Sequence, residues 1–283
     1  MRLRTGIAVL SFTLPLLVGC SGRVRLYSTW SSLGEEPGRT RPVAVGAPPP
    51  LDARPWAGTV SHHLLAAAQI DRWFAELAAR RGVKRFYILS PSHWGLSTQE
   101  YSITDGSWRV KGGIVQSDRA AARELARTLG VKLEPSVFDP EHGVATLMPY
   151  VSKYFPGARI VAVAYRGEPP LNQPMAMRLC EALAPAFTRE GRDGNFLLVS
   201  TDFSHHGDRV STQARDERSN AFFVATSPST WILVGCDNRP GIYVLAMLLE
   251  PTTRSTVLYH CNSWDLSDQD EDNITSYFFS YFW

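Results

Sequence analysis

Apolar segments of two kinds alternate along most of the chain. Short runs rich in β-branched and aromatic residues, such as residues 84–95 (KRFYILSPSHWG), end in turn-forming residues and predict buried strands. Longer segments carry apolar residues at helical spacing, such as residues 64–82, which end at Gly82. Strands that alternate with helices predict a single α/β domain, in which helices flank a mostly parallel or mixed central sheet.

The same pattern gives the bounds of the predicted elements. Strands are predicted over residues 57–63, 84–95, 158–167, 195–207, 254–264 and 274–283, and helices over residues 64–82, 117–130, 141–155, 175–191 and 239–250. Ser117 or Asp118 would cap the second helix, and Pro240 lies near the first turn of the last helix.

The chain before this domain has a different pattern. Two arginines and an apolar run over residues 6–18 precede the sequence LVGC at residues 17–20, which resembles the lipobox of bacterial lipoproteins. We therefore expect residues 1–20 to be a lipoprotein-type signal peptide, with lipidated Cys20 anchoring an extracytoplasmic protein to a bacterial membrane. If the signal is spurious, the protein is cytoplasmic. Residues 21–55 are rich in Pro, Gly and Arg and predict a linker or an extended surface arm, so the domain spans residues 56–283.

Composition narrows the class of protein. The chain is 44% hydrophobic and 20% charged, which is typical of a folded globular protein. Its arginines are scattered and form no basic stripe with aromatics, so we expect no nucleic-acid partner. Besides Cys20, the cysteines are Cys180, Cys236 and Cys261, and the absence of a Cys-x-x-Cys pair excludes a zinc ribbon or a redox dithiol. The sequence leaves open whether two of the three form a disulfide, and it leaves the oligomeric state open.

Histidines concentrate where predicted strands end. Five of the seven histidines in the chain follow three predicted strands, and they are His62, His63, His93, His205 and His206. A sixth, His142, follows Glu141 at the start of a predicted helix. Because ligands in open α/β sheets bind beyond the carboxyl ends of the strands, this placement predicts a site at one edge of the sheet.

The side chains gathered there suit a metal ion. Imidazole, carboxylate and thiolate groups bind iron, zinc or copper, although no two histidines lie four residues apart on one helix. Structural roles are the alternative: His93 as a turn residue, His62 or His63 at a helix start, and Asp202 as a turn acid or N-cap. Glu141 and His142 equally suit a helix N-terminus, and Cys236 suits a buried apolar position.

The order of the motifs resembles that of the Memo family, whose bacterial members are named AmmeMemoRadiSam system protein B. The motifs that carry the resemblance are VSHHLLAA, ILSPSHWG, EHGVATLMPYV, LLVSTDFSHHG and the segment from Cys236 to RPGIYVL, in the order of the family. They extend from about Thr59 to the C-terminus. No single motif is specific, but the set and its order are.

The resemblance implies a fold similar to the class III extradiol dioxygenases, which are non-haem iron(II) enzymes. It implies a metal held by His62, His93 and Cys236, with iron(II) expected and copper or zinc as alternatives. Asp202 and His205 would line the site as catalytic acid and base. His63, Glu141 and His142 would support it from nearby; because the first motif reads SHHLL here, His63 remains an alternative to His62 as the ligand.

The residues and the family resemblance together leave three functions open. The first is a metal-dependent oxidoreductase acting on a small molecule that the sequence does not identify. The second, which the resemblance implies, is a non-enzymatic metal- or peptide-binding accessory protein of a radical-SAM-linked system. The third is a hydrolase that uses Cys236 as its nucleophile.

Overall fold

A mixed β-sheet forms the centre of the fold. The computed structural model describes residues 24–166, 172–267 and 270–283, so the signal peptide predicted over residues 1–20 lies outside the described residues. The strands are β1 (Leu26–Tyr27), β2 (Ala57–Val60), β3 (Arg85–Pro91), β4 (Tyr101–Thr104), β5 (Ser107–Val110), β6 (Gly113–Val115), β7 (Arg159–Tyr165), β8 (Asn195–Ser200), β9 (Ser255–Asn262) and β10 (Ser276–Phe282). The helices are α1 (Ala67–Ala78), α2 (Arg119–Leu129), α3 (His142–Ala145), α4 (Met148–Tyr154), α5 (Gln173–Leu183), α6 (Arg209–Ala225), α7 (Arg239–Met247) and α8 (Ser263–Ser267).

Seven of the described strands pair in the order β4-β7-β3-β8-β2-β10-β9. Strands β7, β3, β8 and β2 are parallel to one another, whereas β4 and β10 run antiparallel to their neighbours. The predicted fold class, a single α/β domain with a mixed central sheet, is therefore confirmed. The parallel strands place the carboxyl ends of β3, β8 and β2 next to one another, and this arrangement positions the site.

Helices cover both faces of the sheet. Along β8, Phe196 and Leu198 belong to one apolar cluster, which also contains buried apolar residues of α1 and α4. Leu197 and Val199 belong to a second cluster, with buried residues of α2, α5 and α7. Successive side chains of a strand point to opposite faces, so burial on both faces explains why the parallel strands read as continuous apolar runs.

Helix α1 shows how sequence spacing produces packing. Ile70, Trp73, Phe74 and Leu77 are fully buried and lie three or four residues apart, so they form one face of the helix. The indole of Trp73 stacks on Tyr281, with 5.0 Å between the ring centroids, and its Nε1 donates a hydrogen bond to the Ser280 carbonyl at 3.0 Å. This contact fixes α1 against β10.

Some elements differ from the prediction. The helix predicted over residues 141–155 is divided into α3 and α4, with a proline in the first turn of α4. The helix predicted over residues 175–191 ends at Leu183 and continues as a 3-10 turn that contains Pro185. Helix α6 and strands β1, β4, β5 and β6 were not predicted from the sequence. Helix α6 is polar on most sides, and the strands are at most four residues long, so both give weak periodic signals.

The segment expected to be a linker or surface arm packs against the domain over its described part. Strand β1 pairs in parallel with β5, and Tyr27 is buried with only 1% of its surface exposed. The Thr29 hydroxyl donates to the Arg109 carbonyl at 2.7 Å, and the Gly46 amide donates to the Leu258 carbonyl at 2.6 Å. The described part of the arm therefore packs on the domain, with one 3-10 turn at Trp30–Leu33, and it contributes the Tyr27 side chain to the core.

Within the described ranges, no helix has both the length and the apolar character needed to cross a membrane.

Candidate metal centre

Three neighbouring strand ends bring the predicted residues together. His62 and His63 follow β2, His93 follows β3, and Asp202 and His205 follow β8. With His142 from the start of α3, these side chains line one cavity of about 400 Å³, together with Leu64, Thr146 and Thr275. The convergence expected from the sequence is therefore present.

The ring of His62 is oriented by a hydrogen-bond chain. Ser200 Oγ donates to the Gly143 carbonyl at 2.5 Å, so this oxygen is left to accept a hydrogen bond from His62 Nδ1 at 3.0 Å. The proton of a neutral His62 ring therefore resides on Nδ1, and the lone pair of Nε2 points into the site. The side chain is only 3% exposed. A buried imidazole held in this way has the orientation that a metal ligand requires.

His93 is oriented by a carboxylate. Its Nδ1 donates to Glu141 Oε1 at 2.6 Å, and its backbone amide donates to Glu141 Oε2 at 2.9 Å. Glu141 is almost fully buried and also caps α3, accepting from the Gly143 amide at 2.8 Å. A carboxylate behind a histidine fixes the tautomer and makes the other ring nitrogen a better metal ligand. The role expected for Glu141 beside the site therefore has a structural basis.

Asp237 is the residue that the sequence analysis missed. Its Oδ1 accepts hydrogen bonds from Thr201 Oγ1 at 2.7 Å and from the Asp202 amide at 3.0 Å. Its Oδ2 is buried and has no hydrogen-bond partner. Oδ2 lies 3.3 Å from Nε2 of His62, and 3.7 Å and 3.6 Å from Nε2 of His93 and His205. The available signal was an acid one residue after Cys236, at the start of a helix.

The two predicted catalytic residues lie beside this carboxylate. His205 Nε2 is buried without a hydrogen-bond partner, although a third of the side chain is exposed to the cavity side. Asp202 is nearly fully buried; its Oδ1 accepts from Ser61 Oγ at 2.6 Å, and its Oδ2 lies 3.7 Å from His62 Nε2. His206, in contrast, has a left-handed backbone and hydrogen-bonds exposed Asn273.

The remaining predicted residues lie on the cavity wall. The ring of His142 is 4.1 Å from that of His93 and 5.2 Å from that of His62, measured between centroids. His63 Nδ1 pairs with the hydroxyl of Tyr277 at 2.7 Å, which leaves its Nε2 as the only free ring nitrogen. His62 is the more enclosed of the two adjacent histidines and the one that faces Asp237.

Two overlapping groups of side chains have ligand atoms close enough to share one ion. In the part of the chain that the structure describes, they are His62 with His93 and His142, and His62 with Asp202 and Asp237. Cys236 belongs to neither group; it packs at the edge of the second apolar cluster. The structure thus brings together every predicted metal ligand except Cys236.

The donor set fits a metal ion. Ligand atoms about 2.1 Å from one tetrahedral ion lie about 3.4 Å apart, close to the 3.3–3.7 Å between Asp237 Oδ2 and the histidine nitrogens. Asp237 Oδ2 is buried without a hydrogen-bond partner, and His62 Nε2 is the nearest of the ring nitrogens that surround it. A metal cation at this position would take the place of the ring protons and bind both atoms, so the orphaned oxygen and the oriented rings are consistent with a metal site.

A family model described as Memo-like protein matches residues 62–226, more than half of the chain. The chain belongs to the Memo-like family. The match includes the site residues from His62 to His205 and stops before Cys236 and Asp237. The family predicted from the motifs is therefore confirmed.

Curated members of the Memo-like family are similar over part of their length. A MEMO1 family protein of Caldivirga maquilingensis is 27% identical over 135 residues, which are 47% of this chain and 46% of that protein. One of Thermococcus kodakarensis is 26% identical over 183 residues, which are 63% of this chain and 58% of that protein. The chain thus spans about half the length of the curated relatives it matches.

A solved structure shares the fold of this Memo-like chain. It is an uncharacterized protein of Escherichia coli K12, JW3007, with a TM-score of 0.53 and 11% sequence identity. The likeness covers 79% of this chain and 98% of that one. At 11% sequence identity the comparison supports the fold, and it gives no information about activity.

The charges at the Memo-like site stabilise one another. Burial alone would lower the pKa of His93, but the carboxylates of Asp237 and Glu141 outweigh it and raise the pKa to about 10. Burial would raise the pKa of Asp237, but the surrounding histidines hold it well below its ordinary value. For His142, burial and the positive charges of His62 and His93 lower the pKa to about 4. A carboxylate among imidazoles therefore exists as an anion, the form that binds a cation.

The described cysteines are unpaired. Cys180 and Cys261 are buried, and Cys236 is partly buried. Burial raises the pKa of each thiol, to about 11 for Cys180 and about 12 for Cys261 and Cys236. All three are therefore neutral thiols near pH 7.

Proposed function

We propose that this chain is a metal-dependent oxidoreductase that holds iron(II) between His62 and His93. Both rings donate a hydrogen bond from Nδ1 to a fixed acceptor, so both direct Nε2 toward the same cavity. This shared orientation is the observation that carries the proposal. A bound iron(II) ion would supply one-electron chemistry and Lewis acidity.

The other side chains of the cavity have separate roles in this proposal. Glu141 holds the His93 ring in its ligand orientation and, through its bond to the Gly143 amide, couples that ring to the start of α3. His205 Nε2 is unpartnered and lies in the cavity wall, where it can give a proton to a substrate atom or take one from it. Asp202 is held by Ser61 and fixes the negative charge beside His62.

The experiment is elemental analysis of protein purified without oxygen. Wild type is expected to hold one metal ion per chain, and His93→Ala is expected to lose most of it. His260→Ala is the matched control, because His260 bonds to Asp216 and lies outside the cavity. A fully loaded His93→Ala protein would overturn the assignment.

Oxygen consumption with catechol-type substrates tests the oxidoreductase part of the proposal. We expect turnover by the loaded wild type and at least a hundredfold less by His205→Ala with its metal retained. If His205→Ala keeps its metal, the loss of turnover is due to the missing proton-transfer group and not to a missing ion. Full metal loading without turnover on any aromatic diol would support the alternative role described next.

A non-enzymatic role is the second candidate, and one observation favours it. Trp94 and Leu96 are 57% and 50% exposed, and the Trp94 ring lies edge-on to His142 at 6.2 Å between centroids. Apolar side chains exposed beside a cavity suit a peptide or a partner protein, such as the radical-SAM-linked partner that the family resemblance implies. Trp94→Ala would then weaken partner binding without changing the metal content.

The hydrolase alternative has less support. A cysteine nucleophile reacts as its thiolate, and burial raises the pKa of Cys236 to about 12. Membrane anchoring through Cys20 stays a proposal, because that residue lies outside the described ranges.

A further inference from the structure

The backbone that follows the 3-10 turn Pro228–Leu233 places Asp237, and not the adjacent Cys236, among the histidines of the cavity. Asp237 Oδ2 is buried and unpartnered, and Nε2 atoms of three histidines surround it at 3.3–3.7 Å. The neighbouring oxygen, Oδ1, is fully occupied by Thr201 and the Asp202 amide. A carboxylate with one oxygen anchored and the other free has the geometry of a ligand that binds through a single oxygen.

We infer that Asp237, rather than the adjacent Cys236, is the third metal ligand, and that the site is a two-histidine, one-carboxylate site for borderline divalent ions such as iron(II). This inference rests on the proposed metal-binding function and specifies its ligand set. The ion would then have nitrogen and oxygen neighbours and no sulfur neighbour.

The register of this segment is fixed on both sides of the two residues. Asn238 is buried; its Nδ2 donates to the Leu89 and Ser200 carbonyls at 2.9 Å and 3.0 Å, and its Oδ1 caps α7 at the Gly241 amide. On the other side, the Gly235 amide donates to Ser219 Oγ at 3.1 Å. Leu89 and Ser200 lie in β3 and β8, so Asn238 ties the start of α7 to the two strands that carry the site.

A shift of one residue would be needed to bring Cys236 to the place of Asp237. It would break both Asn238 side-chain bonds to the strands and the hydrogen bond from the Asp237 amide to the Asp202 carbonyl at 3.0 Å. A buried carbonyl left without a donor loses its hydrogen bonds to water and gains none in return, so the observed register is strongly preferred. Cys236 meanwhile packs at the edge of the apolar cluster behind the sheet.

The ligand set determines which ions the site prefers. Thiolate is a soft ligand that selects copper(I), whereas imidazole and carboxylate suit iron(II), manganese(II), cobalt(II) and zinc(II). Two histidines and one carboxylate with open positions form the ligand set that non-haem iron(II) oxygenases use. Replacement of the thiolate by a carboxylate therefore removes the preference for copper(I) and keeps the site suitable for iron(II).

The experiment uses cobalt(II) as the probe ion in the full chain. X-ray absorption and the optical spectrum report whether sulfur binds cobalt, and chelator competition gives the affinity. We expect only nitrogen and oxygen neighbours in wild type, unchanged spectra and affinity in Cys236→Ser, and at least a tenfold loss of affinity in Asp237→Asn. Circular dichroism and a thermal melt establish that each variant is folded; Asp237→Glu, which keeps the carboxylate, provides a second variant that should retain cobalt better than Asp237→Asn.

The outcomes separate this inference from the function on which it rests. A cobalt–sulfur shell that disappears in Cys236→Ser would overturn the assignment of Asp237 while leaving the metal site in place. Equal cobalt affinity in wild type and folded Asp237→Asn would overturn it as well. A wild-type protein that binds no cobalt, iron or zinc would overturn the proposed metal function itself, and the inference with it.

Discussion

His93 Nδ1 donates a hydrogen bond to Glu141 Oε1 at 2.6 Å, and this bond connects the end of β3 to the start of α3. Glu141 also accepts from the backbone amide of His93 and from that of Gly143. One carboxylate therefore orients a predicted metal ligand, its backbone and a helix N-terminus together.

Glu141→Gln is expected to lower metal affinity about 10–100-fold without preventing folding. Glutamine keeps one carbonyl oxygen, but its NH₂ group replaces an oxygen that accepts from a backbone amide, so the His93 ring loses its fixed orientation. Chelator competition measures the affinity. Glu217→Gln is the matched control, since Glu217 is exposed in α6 and pairs with Gln213. Unchanged affinity in Glu141→Gln would contradict the role given to this carboxylate.

Gly143→Ala is expected to damage the site through steric overlap. A Cβ atom at this position would overlap Ser90 Oγ and lie 3.2 Å from Glu141 Oε1 and 3.4 Å from His93 Cε1. We expect a loss of about 1–3 kcal/mol in the free energy of unfolding, measured in urea, together with weaker metal binding.

Two comparisons establish the cause in the Gly143 experiment. Gly113→Ala serves as the control because no atom lies within 4 Å of the added Cβ. Adding Ser90→Ala to Gly143→Ala removes the overlapping hydroxyl and should recover part of the loss. Equal stability of Gly143→Ala and Gly113→Ala would show that the overlap of the added Cβ with Ser90 Oγ does not affect the free energy of unfolding.

Asp118 predicts a pH dependence of stability. Its Oδ1 caps α2 at the Ala121 amide, and its Oδ2 accepts from Arg85 Nε at 2.7 Å. Burial would raise the pKa of Asp118, but the hydrogen bonds from Ala121 and Arg85 outweigh it and lower the pKa below the ordinary value of 3.8. A lowered folded-state pKa stabilises the protein above the unfolded-state value, and this stabilisation is lost as the pH falls through the folded-state value.

Asp118→Asn isolates the charge, since asparagine is also a good N-cap. It should be less stable than wild type by about 1 kcal/mol at pH 7, and the difference should shrink as the pH falls below about 4. Urea unfolding at pH 7 and pH 3 measures this difference. A difference that is equal at the two values, or larger at pH 3, would refute the assignment.

Tyr27 tests whether the N-terminal arm is part of the folded domain. Its ring lies 5.2 Å from Trp108 and 6.1 Å from Phe138 between centroids, and its hydroxyl pairs with Thr104. Tyr27→Ala should lower the free energy of unfolding by about 3–5 kcal/mol and Tyr27→Phe by about 1 kcal/mol. Leu33→Ala, at a side chain that is 64% exposed, should have little effect. If Tyr27→Ala unfolds like Leu33→Ala, the segment behaves as a linker.

Much of the candidate site could be predicted because strand ends are marked in the sequence. His62, His93 and His205 each follow an apolar run, and parallel strands bring their carboxyl ends to one edge whatever the details of packing. The elements that were not predicted have no comparable signal in the sequence. Helix α6 has no continuous apolar face, and β1 is only two residues long, so each depends on the neighbours it packs against.

The sequence by itself determined the α/β alternation, the family motifs and the edge of the sheet at which the histidines gather, because these depend on local periodicity and on chain order. Only the tertiary structure determined which of two adjacent residues, Cys236 or Asp237, faces the histidines of the cavity. Cys236 and Asp237 are both ligand types in one loop, and sequence spacing does not distinguish them. The bonds of Asn238 to β3 and β8 set the register of that loop. Asp237 therefore faces His62 and His93, while Cys236 packs against the apolar cluster.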